Sequence, residues 1–175
     1  MKVVILADKY SNETIEKIIE YYNEQSYFDF IICVSNETEA VEVLDYESSS
    51  VVVVKLPNRV KSGGRLLRIS SLLDKYEPFL LTFGDYFCDI EVDNLIEFHK
   101  NQGRVLSMAL IKQEKENIFG GIMLVDTDAL GYINTDGVVF ERDVISRLGE
   151  EDEISWYYYS GKPKSIYQKM KIYRI

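Results

Sequence analysis

Apolar positions along this chain fall into short blocks, separated by polar stretches that carry apolar residues only at helical spacing. Val3 to Ala7 is a continuous apolar run, the pattern of a parallel strand covered on both faces. Next, Ile15, Ile18, Ile19 and Tyr22 recur on one helical face while Glu13, Glu16, Lys17 and Glu20 stand elsewhere, so Ser11 or Asn12 is expected to cap an amphipathic helix. Phe28 to Val34 predicts a second strand, and Ser35 or Asn36 the cap of a short helix bearing Ala40, Val41 and Leu44. The valine run within Val51 to Leu56 predicts a third buried strand. Pro57 to Leu66 reads as a loop with a glycine pair, continuing into a helix through Leu73.

The run Phe79 to Phe83, bounded by Pro78 and Gly84, predicts a buried central strand with Asp85 just beyond its carboxyl end. Ligands of open α/β sheets collect beyond such ends, so Asp85 stands where a cation or polar ligand would be held. The alternative is a turn residue ahead of the next helix. That helix spans Glu91 to Gln102, with Val92, Leu95, Ile96 and Phe98 on it and Gly103 closing it. Two strands follow, Arg104 to Ile111 and Ile118 to Val125, joined by a charged loop, the second containing Gly120-Gly121. Asp126 to Ile133 and Val139 to Leu148 predict helices, and Glu153 to Tyr159 a short strand. This alternation implies an α/β fold, a largely parallel sheet with helices on both sides.

With 175 residues the chain is expected to form one domain, residues 1–175. A formal net charge of −9 argues against sequence-independent nucleic-acid binding. The tail is basic, with Lys162, Lys164, Lys169, Lys171 and Arg174, and reads either as a solvated face or as a seat for phosphate. Cys33 and Cys88 each sit inside an apolar run and read as buried free thiols of a reducing compartment. The apolar start is too short for a secretory signal, and no segment reaches the length of a membrane span, so a cytoplasmic protein with no membrane partner is expected.

Two places carry candidate chemistry. Ser62-Gly63-Gly64-Arg65 could bring backbone N–H groups and a guanidinium to a nucleotide, or simply open a helix. His99 is the one histidine; the sequence places neither a carboxylate partner nor a cleft beside it, so it reads as a helix residue near the negative end of the dipole. No metal-ligand spacing of His and Cys occurs.

Taken in order, these pieces resemble the sugar-1-phosphate nucleotidyltransferase family, most closely its glucose-1-phosphate cytidylyltransferase branch. Met1 to Ala7 is similar to the family's first strand, Ser62 to Leu66 to its Gly-Gly-Arg-Leu segment, and Phe79 to Asp85 to its Leu-Thr-Tyr-Gly-Asp strand end. Leu95 to Lys100 is similar to the helix that follows, Gly120-Gly121 with Ile122 to Val125 to its Asn-Gly-Gly-Phe strand, and Phe140 to Asp143 with Leu148 to a later helix. The resemblance implies a Rossmann-like three-layer sandwich with a mostly parallel mixed sheet. It also implies a nucleotide or sugar-phosphate cleft drawing on Gly63, Gly64, Arg65, Gly84, Asp85, Gly120, Gly121 and Lys171, with Asp85 at a magnesium ligand position.

The departures are as informative. Where the family has a glycine-rich loop around the triphosphate, this chain has Asp8-Lys9-Tyr10-Ser11-Asn12, without glycine. An aspartate there repels a triphosphate, and side chains block the approach that glycine allows. The lysine-bearing Pro-Lys-Pro segment is missing, and Lys171 stands where the second metal carboxylate would be, so Mg2+ would rest on Asp85 alone. Lys171 could pair with Asp85 and fill that site. Three readings remain open: a shortened family member with catalysis lost or much reduced; a non-catalytic partner or scaffold of a surface-polysaccharide enzyme, whose aromatic stretch Trp156 to Tyr159 covers the interface or is simply a strand of the sheet; and an active transferase in which Lys171 and Arg65 replace the metal. A homo-oligomer or an enzyme partner is compatible with these readings.

Overall fold

A computed structural model describes residues 1–7, 12–25, 29–46, 49–83, 86–112, 117–160 and 163–165. The expectations attached to Gly84, Asp85 and Lys171 lie outside the described residues. The elements are β1 (Val3–Ala7), α1 (Asn12–Asn23), β2 (Asp29–Asn36), β3 (Ala40–Tyr46), β4 (Ser49–Pro57), α2 (Ser62–Arg68), β5 (Phe79–Phe83), β6 (Tyr86–Cys88), α3 (Val92–Gln102), β7 (Leu106–Lys112), β8 (Asn117–Val125), α4 (Ile145–Glu150), β9 (Ile154–Tyr159) and β10 (Pro163–Ser165). Short 3-10 turns at Ser70–Leu72 and Thr127–Tyr132 and a π turn at Phe140–Val144 complete the connections.

Eight strands form one mixed sheet in the order β3-β4-β2-β1-β5-β8-β7-β9, and β6 pairs with β10 in a separate two-stranded ribbon. β1, β2, β4 and β5 run parallel; β3 and β8 run against them. From β1 the chain winds outward through β2 to β4, then returns through α2 to lay β5 on the other side of β1. The carboxyl ends of β1, β2, β4 and β5 therefore share one edge, which we call the upper edge.

Alternate residues of the central strands face opposite layers, as the period of two requires. Val3, Ile5, Phe30 and Leu80 pack with Ile18, Ile19 and Tyr22 of α1 and Val92 and Leu95 of α3. Val4, Leu6, Ile31 and Leu81 pack with Leu66 and Ile69, Ala129, Phe140 and Leu148 on the other side. The three-layer α/β architecture expected from the sequence is thus present. No helix of the described residues is long and apolar enough to cross a membrane. Cys33 is fully buried and burial pushes its thiol up to about 12, so it is a packing residue rather than a nucleophile; the Cys88 side chain lies outside the described residues.

Several boundaries differ from expectation. Ala40 to Leu44 is not a helix but part of β3, pairing antiparallel with β4 from Ala40↔Lys55 to Tyr46↔Ser49. Val41 and Val43 are β-branched, and the neighbouring valine-rich strand supplies a ladder that a short isolated helix cannot match. Glu42 also reaches Lys55 on the diagonal of that ladder. The glycine pair lies inside the first turn of α2 rather than in a loop, and α2 stops at Arg68. The β6–β10 ribbon was not expected, because three-residue strands carry no periodic signal. Gly103 closes α3 in the left-handed conformation at φ +60°, its N–H donating to the His99 carbonyl at 3.1 Å.

Candidate functional site

α2 carries the residues of the Gly-Gly-Arg segment onto the upper edge. Arg65 is only 2% exposed. Its Nε donates to the Val60 carbonyl at 3.1 Å and its Nη2 to Ser35 Oγ, near the end of β2, at 2.7 Å. Burial pulls the guanidinium's pKa down and the negative charge of Glu141 pulls it back up; an arginine stays cationic under these influences. The result is a fixed positive charge, its side chain held by the Ser35 hydroxyl near the end of β2 and by the Val60 carbonyl of the β4–α2 connection, beside the ends of the parallel strands. Ser35, read from sequence as a helix cap, is instead this arginine's acceptor, since β2 runs on to Asn36.

The glycines beside it make a close backbone contact. The N–H groups of Gly63 and Gly64 donate to the Val138 carbonyl at 3.0 and 3.4 Å, and Lys61 N–H to the Asp136 carbonyl at 2.8 Å. A Cβ on Gly63 would lie 2.8 Å from the Val138 carbonyl oxygen, and one on Gly64 2.5 Å from that of Asp136. Residues 136–138 thus dock directly on the start of α2. Ser62 strengthens the join: its hydroxyl donates to Glu141 and accepts from Phe140 N–H at 2.9 Å.

Gly120 and Gly121 lie in β8, which starts at the same upper edge because it runs against β5. Gly121 has φ +83°, a conformation only glycine adopts readily, and its carbonyl accepts from Thr82 Oγ1 at 2.8 Å. Phe119 and Phe83 meet edge to face, centroids 6.2 Å apart. Phe119, where the resembled family has its sugar-binding asparagine, is 5% exposed. The structure accordingly brings Arg65, Gly120 and Gly121 to one edge of the sheet. Among the described residues no three His, Cys, Asp or Glu side chains gather into a group that could hold a metal ion.

A cluster of charges locks the same region from outside. Arg68 makes a two-pronged pair with Asp136 at 3.0 and 2.9 Å and reaches Glu39 at 3.3 Å. The hydrogen bonds from Arg68 hold the Asp136 carboxyl below the usual carboxylate range; those from Arg142 and from Val139 N–H do the same for Asp143. A carboxylate whose folded-state pKa is depressed contributes stability that is present above its unfolded-state value and is lost as pH falls through the folded one. The melting temperature is therefore expected to fall as pH drops below about 4, and Asp136→Asn to flatten that fall. Parallel acid titrations of melting temperature would show it; equal slopes would contradict the assignment.

One buried polar group was not legible in the sequence. His99 is 4% exposed; Nδ1 lies 2.7 Å from Ser107 Oγ and Nε2 lies 3.2 Å from Asp126 Oδ1, and Ser107 Oγ is 2.6 Å from Ser155 Oγ. The carboxylate partner that sequence did not place is thus Asp126, just past the end of β8. The residue types match a hydrolytic triad, but Ser107 is fully buried and sits at the start of β7. That is the lower edge, opposite the Arg65 end, so the network is structural.

Comparison with known proteins agrees with this architecture. No family model matches the chain. The glucose-1-phosphate cytidylyltransferase of Salmonella typhimurium is 23% identical over 138 residues, covering 66% of this chain and 54% of that protein. The probable glucose-1-phosphate cytidylyltransferase of Bacillus subtilis is 24% identical over 170 residues, covering 83% of this chain and 66% of that one. The match therefore spans about half to two thirds of the relatives' lengths. Among solved structures, the inositol-1-phosphate CTP transferase from T. maritima aligns over 94% of this chain and 88% of its own, with a TM-score of 0.69 and 10% identity. UDP-glucose pyrophosphorylase from Acinetobacter baumanii aligns over the same shares with a TM-score of 0.68 and 10% identity. The chain is similar in sequence to glucose-1-phosphate cytidylyltransferases and in fold to sugar-phosphate nucleotidyltransferases.

Proposed function

We propose that this chain is a single nucleotidyltransferase-like domain of cytoplasmic nucleotide-sugar metabolism, keeping a nucleotide or sugar-phosphate cleft at the upper edge while catalysis is lost or much reduced. The observation that carries the reading is the pairing of a buried, strand-anchored Arg65 with a β1–α1 connection, Asp8 to Asn12, that has no glycine. A fixed guanidinium beside the ends of parallel strands suits a phosphate, which it can meet with charge and planar donors together. A glycine-free connection with an aspartate cannot wrap a triphosphate through its backbone. Binding through Arg65 and poor pyrophosphate release follow from the same two facts. Magnesium enters this reading only through Asp85.

Calorimetry with CTP, UTP, dTTP, ATP and glucose 1-phosphate, with and without magnesium, tests both halves, alongside an assay for released pyrophosphate. Binding of at least one of these compounds with little or no turnover is expected, and Arg65→Lys should weaken that binding about tenfold, because a lysine cannot reproduce the planar fork. Absence of binding to all five would remove the cleft; rapid magnesium-dependent turnover would remove the loss of catalysis. Metal-independent turnover abolished by Lys171→Ala would instead favour the transferase in which cations replace the metal.

A further inference from the structure

We propose that Glu141 sets the charge of the ligand taken at the upper edge, selecting a phosphate esterified on both sides, with a single negative charge, over terminal phosphates and triphosphates. This inference rests on the phosphate cleft proposed above and names the class of phosphate that suits it. Three carboxylates lie on residues 136–143, the segment that docks on α2. Asp136 is held by both prongs of Arg68 and Asp143 by Arg142, so each has its own countercharge. Glu141 instead accepts from the neutral Ser62 hydroxyl, and its charge is left to act on its surroundings.

Those surroundings contain Arg65. Ser62 opens α2 and Arg65 stands one turn later, so the two share a face of the helix. Helical side chains lean toward the amino terminus, and Arg65 follows suit: its Nε reaches the Val60 carbonyl, ahead of the first helical residue. Guanidinium and Glu141 carboxylate therefore lie along the same first turn, and the field of the carboxylate favours the charged guanidinium. Arg65 is buried whereas Glu141 is exposed. An incoming anion meets the carboxylate as well as the arginine.

Selection by charge follows from how two energies scale. Attraction to the site grows in proportion to the charge of the ligand, while the cost of stripping its water grows with the square of that charge. Glu141 lowers the positive potential that Arg65 creates, which moves the best compromise toward the smaller charge. A terminal phosphate carries about −1.5 to −2 at pH 7, a diester only one charge. The formal net charge of −9 on the whole chain acts in the same direction.

Calorimetry of the full chain without magnesium, using cyclic CMP, CMP and CTP and the matching adenosine series, reads the effect. The native chain is expected to bind the cyclic diesters more tightly than the triphosphates. Glu141→Gln keeps an acceptor for Ser62 and removes the charge, and should tighten binding about twofold for cyclic CMP and about tenfold for CTP, with CMP between them. A merely structural role would shift all three by one common factor. Should the variant fail to fold, salt decides on the native chain. Raising sodium chloride from about 0.05 to 0.5 M screens the exposed carboxylate more than the buried guanidinium, so the gap between CTP and cyclic CMP should narrow. A common factor, native binding that favours the triphosphates, or a gap indifferent to salt would each overturn the selection and leave the cleft in place. No binding of any of these compounds by either protein would remove the cleft, and the selection with it.

Discussion

Gly64→Ala is expected to destabilise the fold by about 2–3 kcal/mol, measured by chemical denaturation. Helix propensity alone predicts the reverse, since alanine in a helix is favoured over glycine by about 1 kcal/mol. What reverses the sign is the neighbour: the new Cβ would stand 2.5 Å from the Asp136 carbonyl oxygen and 2.6 Å from its Cα. Those are backbone atoms, and the backbone there is pinned by Lys61 N–H to the same carbonyl and by both Arg68 prongs on the Asp136 side chain. Gly131, around which an added Cβ meets nothing within 4 Å, supplies the control, and Gly131→Ala should stay within about 0.5 kcal/mol of the parent. Similar values for the two variants would mean that residues 136–138 do not sit tightly on α2.

His99→Ala is expected to cost about 2–4 kcal/mol, combining a cavity under α3 with the loss of the ring that bridges Ser107 to Asp126. Ser107 Oγ would keep only the Ser155 hydroxyl, which itself donates to the Leu106 carbonyl at 3.3 Å. Ser155→Ala should cost less, because the His99–Ser107 contact survives it. The affinity of the upper edge for phosphate ligands, measured per folded molecule, should not change, since the network lies at the opposite end of the sheet. A variant with native stability but lost ligand binding would assign His99 a functional role instead.

What could be read from the sequence followed the strength of local signals. β1, α1, β4, β5 and α3 are apolar runs or helical faces uninterrupted by competing patterns, and their positions came through with small boundary shifts. β3 did not, because Ala40, Val41 and Leu44 suit a helical face as well as a strand, and only the ladder to β4 decides between them. Arg65 was identifiable as a candidate through its place in a motif; its acceptors Ser35 and Val60 were not, since they lie 30 and 5 residues away and become neighbours only in the folded sheet. The glycine pair was recognised as a place of close approach, and the approaching group is the backbone of residues 136–138. His99 illustrates the limit: Asp126 and Ser107 are separated from it by 27 and 8 residues, and nothing periodic connects them.

The docking of α2 also sets an order of events during synthesis. The contacts that fix its first turn come from Asp136 to Phe140, and the Ser62–Phe140 hydrogen bond closes a separation of 78 residues. At about 5–20 residues per second, a ribosome needs roughly 4 to 16 s to extend the chain from that serine to that phenylalanine. Until then α2, seven residues long with two adjacent glycines, lacks the partner of its first turn, although the Val60 carbonyl and Ser35 hydroxyl that accept from Arg65 are already made. The upper edge is therefore completed late, from both ends of a long chain segment at once, while β1 and β2 can already be paired behind it.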